Sequence, residues 1–159
     1  MKTFSDPLSA TLLGELGDDL GLNLVFDKHS QCLLVLDDNL MISIHEHESV
    51  DCWVLYGMLG EFWQPDQHFF QYLLLLNQSL AEQGQGALAF DPKNDAVLYL
   101  RHIPLKDTNR AMLYQLLENF TDQLETIIDC LNESEAGRAR IHGPAFNPMT
   151  GTRPPFRRI

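Results

Sequence analysis

Apolar residues recur along this chain in two rhythms. After Asp6-Pro7, the residues Leu8, Leu12, Leu13, Leu16 and Leu20 share one face of a helical period, and Gly21 closes the segment. Proline suits the first turn, where its missing N–H would be unpaired anyway. Short apolar runs follow at 22–26, 32–36, 40–44 and 52–59, with turn formers Asp27-Lys28-His29-Ser30 and Asp37-Asp38-Asn39 between them. Such runs predict an antiparallel meander. Pro65-Asp66 opens a second helix that lasts to about Gln83 and stops at Gly84-Gln85-Gly86. Segments 87–90 and 96–101 flank Asp91-Pro92-Lys93-Asn94-Asp95 as a hairpin, and a last helix runs from Asp107 or Thr108 to Leu131. The expected class is α+β, with a twisted antiparallel sheet and three helices.

The helices differ in how much surface they must hide. In the last one, Leu113, Leu116, Leu117, Phe120, Leu124, Ile127, Ile128 and Leu131 form one stripe, with Glu118, Asp122, Glu125 and Asp129 away from it. In the middle helix, Phe69, Phe70, Tyr72, Leu73, Leu74, Leu75, Leu76 and Leu80 go most of the way round. A helix apolar all round must be covered on more than one side. One sheet cannot do that, so a second copy is expected there, with Phe69, Tyr72, Leu73, Leu76 and Leu80 at the dimer interface. The strands repeat the message. Residues 32–36 and 53–59 are apolar in both phases, so a partner covers the second face or the sheet is sandwiched within the chain.

Length and charge narrow the class. The chain has 159 residues, 45% of them hydrophobic, which fits one domain able to fold without disulfides or metal. Cys32, Cys52 and Cys130 are odd in number and widely spaced, which reads as buried reduced thiols and a cytoplasmic setting. No apolar run approaches a transmembrane span, and Glu15, Asp18 and Asp19 interrupt the only stretch resembling a signal peptide. Net charge is −11, which disfavours nucleic acid and anionic membranes as partners. That charge is uneven. Residues 1–132 carry 6 Lys/Arg and 20 Asp/Glu, net −14, whereas 133–159 carry 5 and 2, net +3. The second segment also holds four of the eight prolines and no apolar period. It reads as a mobile extension, dispensable for folding, on a domain spanning 1–132; its rival reading lays it across the acidic body.

Candidate chemistry is sparse. His45-Glu46-His47 on a strand points both imidazoles to one face, a spacing that chelates a metal, and a small metal-dependent enzyme is the alternative function this supports. Two ligands without a third read more simply as a polar strand end. Gly84-Gln85-Gly86 follows a helix and lacks the lysine of a phosphate loop. No nucleophile constellation stands out, and no cofactor or catalytic residue is expected.

The chain resembles the class I chaperones of bacterial type III secretion, the Tir-chaperone (CesT-like) family. The resemblance rests on Leu20-Gly21-Leu22 after the first helix, on CLLVLDD, on VLYGMLGEF, and on LLLLNQSLAEQGQGALAFDPKNDAVLYLRHIPLKD. It covers roughly residues 8–131 and implies the order α-β-β-β-α-β-β-α. It also implies a homodimer without enzymatic activity that holds the N-terminal region of a secreted effector in extended form. Such a chaperone delivers its client to the secretion ATPase in the bacterial cytoplasm, and needs no cofactor. The resemblance further implies that Cys32, Leu34 and Leu36 point to the core, leaving Leu33, Val35, Trp53 and Leu55 outward to bind client. The outward phase of the strands is the step on which that site depends, because a slip of one residue exchanges the two faces.

Overall fold

The computed structural model describes residues 7–37, 39–47, 51–61 and 66–133. Helix α1 is Pro7–Leu20, followed by strands β1 Gln31–Leu36, β2 Leu40–His47 and β3 Cys52–Glu61. Helix α2 is Gln67–Glu82, the hairpin is β4 Ala87–Asp91 and β5 Ala96–Pro104, and α3 is Arg110–Glu133. The five strands form one antiparallel sheet in the order β1-β2-β3-β5-β4. The run at 22–26, expected as a strand, is none. Asp27 N–H donates to the Gln31 carbonyl at 2.8 Å and turns the chain into β1, but no further ladder forms.

Local chemistry sets the ends of the elements. The Asp66 carboxylate accepts from Phe69 N–H at 2.9 Å and caps α2, and Asn109 Oδ1 accepts from Met112 N–H at 3.0 Å and caps α3 two residues later than the sequence pattern suggests. Gly86 holds φ at +112°, and a Cβ there would stand 2.3 Å from the Leu100 carbonyl oxygen, so only glycine lets α2 turn straight into β4. Asp27 accepts from the N–H groups of His29 and Gln31, and Asp91 accepts from Lys93 N–H and Asn94 Nδ2. These bonds hold both carboxyls below the ordinary 3.8.

A folded-state pKa below the unfolded one adds stability above the unfolded value, lost as pH falls through the folded value. The urea midpoint is therefore expected to decline below about pH 4 through these two turns, and Asp27→Asn to flatten that limb. Chemical denaturation at pH 3 and pH 6 measures it.

All three helices pack on one side of the sheet. From α1, Leu12, Leu13 and Leu16 enter the core, and buried Ser9 accepts from Trp53 Nε1 at 2.7 Å. From α3, Phe120 stacks on Tyr99 with centroids 4.8 Å apart, and Tyr99 Oη donates to the Gln85 carbonyl. Leu124 sits over Gly57 so closely that a Cβ would lie 2.6 Å from its Cδ1. Tyr72 Oη on α2 donates to the Cys130 carbonyl at 3.3 Å, joining α2 to α3, while α1 meets α3 through the exposed pair Asp19–Arg110. Among the described residues no helix covers the other side of the sheet. The 133–159 segment expected to be a free extension lies, past Glu133, outside the described residues.

Candidate functional site

With every helix on one face, the other face of the sheet is left with no helix over it among the described residues. Strand β1 alternates strictly: Cys32, Leu34 and Leu36 are buried, and Gln31, Leu33 and Val35 are exposed. Directly paired residues share a face. The register Leu33↔Ser43↔Tyr56↔Leu100 therefore lays one row across the open side, and Gln31↔His45↔Val54↔His102 lays the next. Met41 stands opposite Val35, and Met58 opposite Leu98. In the middle of the sheet Val54 and Cys52 are buried among their neighbours, whereas Leu33 and Val35 at the β1 edge are 62% and 48% exposed. Val25, in the segment before β1, adds a third large apolar side chain in the open at 66%. Burial pushes the Cys32 and Cys52 thiols upward in pKa, away from nucleophilic use.

This placement corrects half of the outward set. Leu33 and Val35 lie on the open face, but Trp53 and Leu55 are 0% and 1% exposed in the core. The phase of β3 is fixed by Gly57, which must face α3 to let Leu124 in, so every odd position from 53 to 59 turns inward. Cys52, Val54, Tyr56 and Met58 take the open side instead. The signal was in the sequence: a glycine inside an apolar strand marks a close approach from another element.

The middle helix needs a similar correction. Phe69 and Leu80 are core residues, buried within the protomer, and Tyr72, Leu73 and Leu76 pack partly against that core. The free apolar surface of α2 belongs to Phe70, Leu74 and Leu75. Strand β4 runs back along α2, with Leu88 N–H donating to Asn77 Oδ1 at 2.8 Å, and it presents Phe90 at 48% exposure. The helical period, not hydrophobicity alone, decides which leucines remain outside.

A protein-family model described as the Tir chaperone protein (CesT) family matches residues 11–127. The chain belongs to that family. Among solved structures, a chain of the HopA1-SchA chaperone–effector complex is similar at a TM-score of 0.67 and 20% identity, over 77% of this chain and 94% of that one. A chain of the ExsC-ExsE complex gives 0.68 and 17%, over 76% and 90%. A chain of the Yersinia pestis type III secretion chaperone SycH in complex with a fragment of YscM2 gives 0.55 and 20%, over 74% and 97%. At these identities the likeness is one of fold, and it agrees with the order α-β-β-β-α-β-β-α expected from the sequence.

In this CesT-family protein His45 and His47 belong to the open face. His45 Nε2 lies 2.7 Å from Ser43 Oγ, and its ring tilts against Tyr56 with centroids 4.6 Å apart. Burial pushes the His45 pKa down from 6.5, against a smaller upward pull from Asp27. His47 shares its phase at the end of β2. Among the described residues no group of three or more His, Cys, Asp or Glu could hold a metal, so the metal-enzyme alternative gains no site. No helix of the described residues is long and apolar enough to cross a membrane.

Proposed function

We propose that this protein is a type III secretion chaperone that binds the N-terminal region of an effector, keeps it soluble and extended, and passes it to the secretion ATPase. The observation that carries this reading is the uncovered apolar face, with Leu33, Val35 and Met41 at its β1 edge, on a family fold. A client segment laid there buries apolar side chains worth roughly 1.5–3 kcal/mol each when fully covered. The outer edge of β1, which among the described residues pairs only with β2, offers main-chain groups for strand addition as a second grip. Such binding needs no catalytic residue and no cofactor. The net charge of −11 opposes indiscriminate aggregation of a protein with exposed apolar surface. Co-expression with candidate effectors tests the reading: an effector should co-purify through its N-terminal region. Stable co-purification through the effector's folded C-terminal part alone would contradict it.

The homodimer belongs to the same reading, with Phe70, Leu74, Leu75 and Phe90 along the β4 edge as its apolar centre. A specific interface buries at least about 1,000 Å² in total. Leu74→Asp with Leu75→Asp is expected to give a folded monomer in sedimentation at micromolar concentration. These two leucines are 66% and 65% exposed, so the protomer core does not depend on them. Wild-type protein that sediments as a monomer would overturn the dimer.

A further inference from the structure

The open sheet face has an occupant within reach in this chain's own sequence. The described residues end at Glu133, and 26 residues follow. Helix α3 ends against α2, through Tyr72 and the Cys130 carbonyl, and α2 packs along the edge strand β4. The segment therefore starts beside one edge of the sheet. Five strands spaced about 4.8 Å apart make a face roughly 19 Å wide. A chain of that length spans up to about 85 Å when extended. Rounding the edge and crossing the face uses a fraction of it.

The composition of the segment suits a face rather than an edge. Phe146 and Met149 are three residues apart, as are Phe156 and Ile159. Three residues make one turn of polyproline II, the conformation that Pro144, Pro148, Pro154 and Pro155 favour, so each pair falls on one side. Proline cannot donate to a ladder, which disfavours strand addition and leaves side-chain docking. Prolines also reduce the entropy lost on ordering. Charge points the same way: residues 134–159 are net +4 and residues 1–133 net −15. The turns at the rims of the sheet carry Asp27, Asp37, Asp51, Asp91 and Asp95. Asp37 Oδ2, two residues beyond Val35, is buried with no hydrogen-bond partner among the described residues. An arginine is the side chain best shaped to pair with such a carboxylate, and the segment has five.

We propose that residues 134–159 lie across the open face of the same protomer, seating Phe146, Met149 and Phe156 on Leu33, Val35, Met41 and Met58, and that an arriving effector displaces them. The sequence alone favours a free extension because the segment holds four prolines and no helical or strand period; the fold shows which face of the sheet is open to receive it. Only the displacement rests on the effector-binding reading. The docking is tested without any client.

Methyl-labelled full-length protein is the sample. Cross-relaxation is expected between the Met149 and Ile159 methyls or the Phe146 and Phe156 rings and the methyls of Val35, Met41 and Met58. Phe146→Ser with Phe156→Ser should abolish it while leaving the core methyls of Leu117 and Leu124 unmoved. Extension signals at random-coil positions without these cross-peaks would overturn the docking. So would cross-peaks seen only between differently labelled copies, which would put the segment on a second protomer. An effector fragment that binds while the cross-peaks persist would overturn the displacement.

Discussion

Replacing Trp53 by alanine is expected to cost about 3–5 kcal/mol of folding stability, the range for truncating a large buried aromatic. The indole is 0% exposed, meets Phe26 edge-on at 5.8 Å, and donates to Ser9, which is itself fully buried. Truncation therefore opens a cavity and leaves the Ser9 hydroxyl without its donor. In a chain of this length the melting temperature should fall by roughly 6–20 °C. Urea titration of the variant measures the loss. A change below about 1 kcal/mol would place Trp53 at the surface, where scattered substitutions cost that little, and would reverse the face assignment of β3.

The second large effect concerns the opposite face. Leu33→Asp with Val35→Asp is expected to weaken effector binding by at least about tenfold, since each places a charge in a surface meant to be desolvated by the client. Folding should survive, because both side chains project away from the helices and are 62% and 48% exposed. Titration of an effector fragment against wild type and variant, with melting curves of both, separates the two effects. Unfolding of the variant would show that the phase of β1 is wrong. Unchanged affinity in a folded variant would show that the client binds elsewhere.

Most of the architecture was legible because it depends on local signals. Pro7 and Asp66 mark helix starts, Gly21 and Gly84 mark stops, and the alternation in β1 and β2 appears directly as burial. The phase of β3 was not legible from hydrophobicity, because Trp53, Val54, Leu55 and Tyr56 are apolar in both registers; the hint lay in Gly57 instead. That phase is decided by a non-local event, the seating of Leu124 over Gly57. The same limit applies to α2. Eight apolar residues were visible, but which of them the protomer keeps for itself depends on where α3 and β4 meet the helix. Phe69 and Leu80 turned inward, and Phe70, Leu74 and Leu75 were left over. The segment at 22–26 failed as a strand for a related reason: Leu24 is buried while Val25 stands in the open, with one bond, Asp27 to Gln31, in place of a ladder.

Site-specific photo-crosslinking in the full chain addresses the central claim most directly. A photoreactive phenylalanine analogue at position 35 faces the open sheet, and the same analogue at position 74 faces outward from α2. With an effector co-expressed, irradiation should join effector to position 35 and a second copy of the chaperone to position 74. Effector captured from position 74 and never from position 35 would contradict the account, because the client would then occupy the helical side and leave the open face without a role.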